Sequence, residues 1–127
     1  MKQKKQRRQE HDIQDRIRVA LSEYEGEGFP IRLNSGTAWG GELVDTPEYG
    51  PVLINPQKIS LCPAGTPDLL FVGSKGRVTW IEVKDLKGKA ADAQKRFAAI
   101  ATRLGHKVGI AKSPEDALKL VEDTMND

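Results

Sequence analysis

Two acidic residues and a lysine stand among apolar residues in the segment 65–85, "GTPDLLFVGSKGRVTWIEVKD". Residues two apart on a strand project to the same face, so Glu82 and Lys84 are expected to point together, with their apolar neighbours on the core side. Asp68 belongs to the preceding strand. Carboxylates beside an ammonium group suit a divalent metal that assists hydrolysis of a phosphodiester bond. The same spacing also fits an ion pair on a solvated sheet face, contributing about 0–1 kcal/mol, and by itself leaves both interpretations open.

The loop between the two strands decides whether Asp68 joins the other two residues. A two-residue turn would place Asp68 opposite Val83, and its side chain would then point to the other face of the sheet. Residues directly opposite in an antiparallel pair share a face, so Asp68 joins the set if it pairs with Glu82 or Lys84. A three-residue loop, in which Gly76 takes a positive φ, restores this match. We predict the longer loop. Gly65 is expected to allow a tight turn ahead of Asp68.

Hydrophobic periodicity and turn residues predict the elements that hold these residues. A helix is expected first, ended by "GEG" at 26–28, and Ser113 is expected to cap the last helix with Pro114 at its first position. In chain order the predicted elements are a helix over 9–25, a strand within 29–34, an irregular stretch over 36–63 with short strands at 41–44 and 52–60, strands over 68–73 and 78–84, a helix over 90–104, a strand over 107–111 and a helix over 114–125. This order indicates a mixed α/β or α+β domain.

Length and composition indicate one globular domain. The chain has 127 residues, of which 38% are apolar and 30% charged, values typical of globular proteins. It contains no run of apolar residues long enough for a membrane span, and its basic N-terminus has no apolar stretch of the signal-peptide type. The single cysteine, Cys62, cannot form an internal disulfide. We therefore expect no membrane association and a cytoplasmic location, in a bacterial cell or a phage-infected host.

The positive charge is concentrated at the N-terminus. Residues 1–8, "MKQKKQRR", carry five basic residues and no acidic one, whereas residues 9–127 carry a net charge of −3. We expect a basic N-terminal arm over 1–8 and a single domain over 9–127. Such arms bind nucleic acids or simply increase solubility, and the sequence is compatible with both. A slightly acidic body would have to hold DNA through local patches.

Three short motifs resemble the PD-(D/E)XK nuclease superfamily, and more narrowly its VRR-NUC (virus-type replication-repair nuclease) family. They are "PDLL" at 67–70, "EVK" at 82–84 and the Gln94 of "ADAQKRF". The segments "EHDIQDRI", "IRLNSG" and "GHKVGIAKSPEDAL" also fit, so the resemblance spans nearly the whole chain. It implies a restriction-endonuclease-like α/β fold, with a central mixed β-sheet flanked by helices.

The resemblance also implies a set of site residues. Asp68, Glu82 and Lys84 would form a catalytic core that depends on Mg²⁺ or Mn²⁺, with both carboxylates as metal ligands. Gln94 would belong to the catalytic set, the alternative being an ordinary surface glutamine. Glu10 shares the inward-facing stripe of the first helix and would be a third metal ligand. Its alternative role is that of an acid placed favourably near a helix N-terminus.

Four further residues are candidates for contacts with nucleic acid. Arg32 and Asn34 are predicted on the solvent face of the first strand, whose other face, with Phe29 and Ile31, is predicted to be buried. Lys87 and Lys89 follow the catalytic strand directly. For all four, plain solvent exposure is the alternative.

The function expected from these features is metal-dependent endonuclease cleavage of DNA. The chain offers no separate recognition domain, so recognition of shape, as in Holliday (four-way) junctions or other branched DNA, is favoured over recognition of sequence. The resemblance implies a homodimer. Residues 36–60, which are rich in glycine and proline, are a candidate dimer surface or DNA-contacting element. The alternatives are a flap- or end-directed nuclease, an RNA target, and a DNA-binding module that does not cut.

Overall fold

The structure, a computed structural model, describes the backbone of residues 2–127 and the side chains of residues 9–127. The side chains of the predicted basic arm, residues 1–8, therefore lie outside the described residues. The elements in chain order are α1 (Lys2–Ser22), β1 (Gly28–Arg32), β2 (Thr37–Thr46), β3 (Gly50–Ser60), β4 (Leu69–Gly73), β5 (Val78–Val83), α2 (Asp92–Arg103), β6 (Lys107–Ala111) and α3 (Pro114–Met125).

A four-stranded mixed sheet in the order β1-β4-β5-β6 forms the centre of the fold. β4 runs antiparallel to both β1 and β5, whereas β6 runs parallel to β5. A parallel pair needs a crossover connection, and α2 supplies it between β5 and β6. α1 and α3 pack on one face of the sheet and α2 packs against β6. The predicted central mixed sheet flanked by helices is confirmed.

The hydrophobic core lies between the sheet and the pair formed by α1 and α3. Alternate residues of β4 and β5 point into it, as the period of a half-buried strand requires. Its buried members are Ile17, Leu21, Leu69, Phe71, Ile81, Val83, Ala111, Ala117 and Val121. The prediction that the apolar neighbours of Glu82 face the core is therefore confirmed.

The prediction of a buried apolar face on β1 is wrong. Phe29 is 55% exposed and Ile31 is 38% exposed. Register places them opposite Val72 and Leu70, on the face of the sheet that carries α2. β1 is an edge strand, and α2 lies over β6 at the opposite edge, so this part of the sheet is left open.

The segment 36–63 was predicted as irregular, with short strands at 41–44 and 52–60. Both strands are present, but they are longer than predicted and form one β-hairpin, β2 and β3. These strands pack mainly against each other. The glycines and prolines that suggested breaks are accommodated in the hairpin. Gly41 lies at a bulge, where an added Cβ would meet the carbonyl oxygen of Ile54 at 2.7 Å, and Pro51 pairs with Asp45 near the turn. A bulge absorbs an extra residue without ending a strand.

The predicted helices are all present, with shifted ends. α1 begins and ends earlier than predicted, so its backbone continues through the segment predicted as an arm. α3 begins as predicted, since Asp116 N–H donates to the Ser113 hydroxyl at 3.1 Å and Pro114 is the first helical residue. Among the helices in the described part of the chain, none is both long and apolar enough to cross a bilayer.

A buried pair of hydroxyl groups joins the sheet to α3 and allows a test of the packing. Thr79 donates to Thr124 at 2.8 Å, and Thr124 donates to the carbonyl of Leu120 at 2.9 Å. Thr124→Val would leave the Thr79 hydroxyl buried without an acceptor, so we expect it to lower the free energy of unfolding by about 1–3 kcal/mol. Thr79→Val should cost less, because Thr124 keeps its bond to Leu120. Urea denaturation of both variants measures the difference, and equal losses would contradict this account.

Candidate active site

The connection between β4 and β5 is the three-residue loop that the sequence predicted. Gly73 N–H donates to the Arg77 carbonyl at 2.9 Å across the loop, and Lys75 and Gly76 have φ values of 59° and 74°. In the two strands that this loop joins, Leu69 of β4 lies opposite Ile81 of β5. One step further along the same register, Asp68 faces Glu82, which confirms the predicted pairing.

Asp68 is held by the backbone of the neighbouring strand. Its Oδ2 accepts a hydrogen bond from Val83 N–H at 2.8 Å. The preceding loop turns at Gly65, whose φ is 89°, a conformation in which residues with a Cβ are strained. An added Cβ at Gly65 would also lie 2.3 Å from the carbonyl oxygen of Ala93 in α2. The predicted glycine turn is thus confirmed, and close packing of the loop on α2 supplies a second reason for it.

Glu82 lies on the α2 side of the sheet and is only 6% exposed. Its Oε1 accepts a hydrogen bond from the Gln94 side-chain amide at 2.9 Å, and the ammonium group of Lys84 lies 3.7 Å from the same oxygen. The other oxygen, Oε2, is buried and has no hydrogen-bond partner among the described residues. A buried carboxylate oxygen without a partner is costly, and it marks a place where a ligand would be stabilised.

Gln94 connects the site to the beginning of α2. Its side-chain oxygen accepts from Ala91 N–H at 2.8 Å while its amide donates to Glu82. One residue therefore satisfies a free N–H group at the helix N-terminus and orients the carboxylate. The predicted nearness of Gln94 to the acidic residues is confirmed.

The surroundings of Glu82 raise the pKa of its carboxyl group to about 8. Burial is the largest cause, because it disfavours the charged form, and the neighbouring Asp68 carboxyl group raises the pKa further. The positive charge of Lys84 acts in the opposite direction. At neutral pH the Glu82 carboxyl group is therefore expected to be mostly protonated in the metal-free protein.

The donor set fits a hard divalent cation. Asp68 and Glu82 offer carboxylate oxygens, the ligand type that Mg²⁺ and Mn²⁺ prefer, and Glu82 Oε2 is left without another partner among the described residues. A bound cation would also stabilise the charged form of Glu82 against burial and against repulsion from Asp68, both of which raise its pKa.

Glu10 is not brought into this set. It lies half-buried on α1, and the described residues contain no group of three or more acidic, histidine or cysteine residues that could hold a metal. α1 packs against α3 and the core face of the sheet, whereas Glu82 faces α2. A ligand role for Glu10 stays a prediction.

Arg32 and Asn34 are both exposed. Register places Arg32 opposite Leu69, and therefore on the core side of the sheet, away from the face of Asp68. The prediction that Arg32 lies on the strand face opposite the core is wrong, because the apolar side chains of β1 occupy the open face. A contact of these residues with nucleic acid stays a prediction.

The loop after β5 carries exposed lysines next to the site. Lys87 and Lys89 are exposed, and Asp85 shapes the loop by accepting from Lys87 N–H at 3.0 Å. Sequence reasoning missed Lys112, whose ammonium group donates to the Leu86 carbonyl at 3.2 Å. The parallel pairing of β5 and β6 brings Lys112 here. The helix predicted between these two strands was the signal that could have identified it, because a helix commonly connects parallel strands.

The raised pKa of Glu82 predicts how stability depends on pH. The folded protein binds one more proton than the unfolded chain between the ordinary carboxyl pKa of 4.5 and about 8. The free energy of unfolding of the metal-free protein should therefore fall as pH rises through this window. Glu82→Gln should flatten this slope, with Glu122→Gln as the control for loss of an acid elsewhere. Urea denaturation across the pH range measures the slope, and an unchanged slope in Glu82→Gln would contradict the assignment.

Comparison with known proteins identifies a structural neighbour. No family model and no curated protein matches the chain. A solved structure described as a "VRR_NUC domain" superposes with a TM-score of 0.54, covering 90% of this chain and 95% of that chain at 24% sequence identity. The chain has the fold of a VRR_NUC domain.

Proposed function

We propose that the protein is a metal-dependent deoxyribonuclease, a hydrolase that cleaves phosphodiester bonds in branched DNA such as Holliday junctions. One observation carries this proposal. Asp68, Glu82, Lys84 and Gln94 converge at one place on a VRR_NUC-like fold, with an unpartnered carboxylate oxygen among the described residues. A surface ion pair does not account for an acid that is buried and has a pKa raised to about 8.

The two carboxylates would hold Mg²⁺ or Mn²⁺. When bound, the cation would lower the pKa of a water molecule and neutralise charge on the scissile phosphate. Asp68 is fixed for this task by Val83 N–H, and Glu82 is fixed by the Gln94 amide. Both ligands are thus oriented by groups on packed elements of the fold, which limits the reorganisation needed on binding.

Lys84 supplies a positive charge beside the carboxylates. Its side chain is 13% exposed, so the charge acts in a partly desolvated environment where it is weakly screened. The ammonium group donates hydrogen bonds, either to the attacking water or to a phosphate oxygen that gains charge in the transition state. Lys84 directly follows β5 and is separated from Glu82 by Val83 alone, and its ammonium group therefore reaches the same carboxylate.

Branched DNA is favoured by the kind of contact that the site offers. The lysines around it, Lys87, Lys89 and Lys112, suit phosphate groups, and phosphate contacts position DNA without reading its sequence. Recognition would then depend on where phosphates lie in space, as it does at a junction.

A homodimer is the second part of the proposal. The hairpin of β2 and β3 carries large exposed apolar side chains, with Leu43 70% and Tyr49 74% exposed. A two-stranded hairpin is marginally stable alone, and exposed apolar surface of this kind is typical of interaction sites. A second copy would cover the hairpin through an isologous contact and present two active sites to two strands.

Cleavage of labelled four-way junctions tests the catalytic proposal. We expect cutting with Mg²⁺ or Mn²⁺ and none with EDTA. Lys84→Ala should lower the rate by about 100-fold or more, because it removes a charge that stabilises the transition state. Lys119→Ala, which removes an exposed lysine on α3, is the control. A flap and a linear duplex should be cut more slowly than the junction.

The other outcomes separate the alternatives. Faster cutting of flaps or ends, or of RNA, would keep the chemistry and replace the substrate. Binding of the junction without cutting in either metal would indicate a DNA-binding module. Thermal unfolding gives a readout without catalysis, because Mn²⁺ should stabilise the wild type at pH 8 and should not stabilise Glu82→Gln.

Light scattering coupled to gel filtration tests the dimer. Leu43→Lys should shift the wild-type dimer toward the monomer, because it places a charge in the apolar contact. Leu104→Lys is a matched control, since Leu104 is an equally exposed leucine, at 69%, at the end of α2. A monomeric wild type at micromolar concentration would contradict the dimer.

A further inference from the structure

A cavity of about 360 Å³ adjoins the candidate active site, between α2 and the sheet. Glu82 and Gln94 line one part of it and so belong to both the cavity and the site. The remaining wall is mostly small or apolar and includes Pro67, Ala98, Val108 and Ile110. Catalysis by the carboxylates and Lys84 does not require this space.

The lining determines which part of a DNA substrate fits. An apolar wall would desolvate a phosphate group without replacing its hydrogen bonds, so the cavity does not suit the DNA backbone. A nucleobase is flat, with apolar faces and polar edges, and is bound by apolar contact to the faces and hydrogen bonds to the edges. Glu82 and Gln94 place polar groups at one side of the cavity. The volume lies in the range of about 300–1,000 Å³ found for small-molecule sites.

The cavity lies beside the carboxylates at which the reacting phosphate would bind. Because Glu82 lines the cavity and also faces Asp68, a DNA strand with a phosphate at the carboxylates would have a neighbouring base within reach of the cavity. Lys95 also lines the cavity and is exposed on the surface of α2, where it suits the backbone of the same strand.

We propose that this cavity receives the base of a nucleotide next to the cleaved bond, turned out of its stack. The inference rests on the proposed nuclease function and narrows its substrate to DNA with an unpaired or readily unpaired base beside the cleaved phosphate. Turning out a base costs least where pairing is already broken. The cavity therefore gives the enzyme a second reason to prefer branch points, in addition to the placement of phosphates.

Abasic substitution tests the proposal on the unmodified protein. After the cleaved bond is mapped in an intact junction, junctions are made with an abasic site on either side of that bond. A third junction carries its abasic site one helical turn away. We expect cleavage to fall about tenfold for one of the two flanking positions, since contact with a base is worth about that factor, and to be unchanged for the distant position.

Filling the cavity provides the matched comparison. Ala98→Leu places a larger side chain in the cavity, whereas Ala99→Leu makes the same change at an exposed neighbour that does not line it. Ala98→Leu should cleave the intact junction about tenfold more slowly and should no longer distinguish intact from flanking abasic DNA. Ala99→Leu should behave as wild type. Thermal unfolding measures whether both variants fold. If Ala98→Leu does not fold, Ala98→Met replaces it in the cleavage assays.

The outcomes distinguish failure of this inference from failure of the proposed function. Cleavage by wild type that is equally fast on intact and flanking abasic junctions would overturn the base-binding cavity and leave the nuclease intact. Equal sensitivity to the abasic site in Ala98→Leu and Ala99→Leu would also overturn it. Absence of cleavage on every DNA with either metal would overturn both.

Discussion

The register of β4 and β5 is the constraint on which the candidate site depends. A three-residue loop closes these strands so that Asp68 comes opposite Glu82. Side chains alternate along a strand, so a loop shorter by one residue would turn Asp68 toward the core and place a carboxylate among apolar side chains. The loop also sets the hydrogen bond from Val83 N–H to Asp68, which holds the carboxylate at the end of the pair. Deletion of one residue from this loop would therefore separate Asp68 from Glu82, although the loop lies at the other end of the two strands.

Bringing two carboxylates together in a partly dry environment has an electrostatic cost, and the surrounding elements offset part of it. Gln94 donates one hydrogen bond to Glu82 and Lys84 adds a nearby positive charge. The part of this electrostatic cost that they do not offset is seen in two features. The pKa of Glu82 is raised, and one of its oxygens is buried with no partner among the described residues. Such local departures from stable packing are characteristic of functional sites, where a ligand completes what the folded chain leaves unsatisfied.

The two faces of the sheet are covered unequally, and this shapes the surface around the site. α1 and α3 cover the core face, whereas α2 packs on β6 at one edge of the other face. The uncovered part carries Phe29 and Ile31, and the hairpin of β2 and β3 adds further exposed apolar side chains. The same arrangement leaves space beneath α2 beside Glu82. The open apolar part of the four-stranded sheet and the cavity are thus two consequences of how α2 crosses that sheet.

The sequence by itself determined the features that depend on neighbours along the chain. The alternation around Glu82, the loop at Gly76 and the Ser113 cap each follow from a few adjacent residues, and the three motifs indicated the fold. The tertiary structure alone decided the burial of Glu82 and the arrival of Lys112 beside the site. It also decided that the apolar side of β1 lies open, because periodicity shows that a strand has two faces but not which face a distant helix covers. The physical reason is range: hydrogen-bond geometry and alternation act locally, whereas burial depends on contacts between elements far apart in sequence.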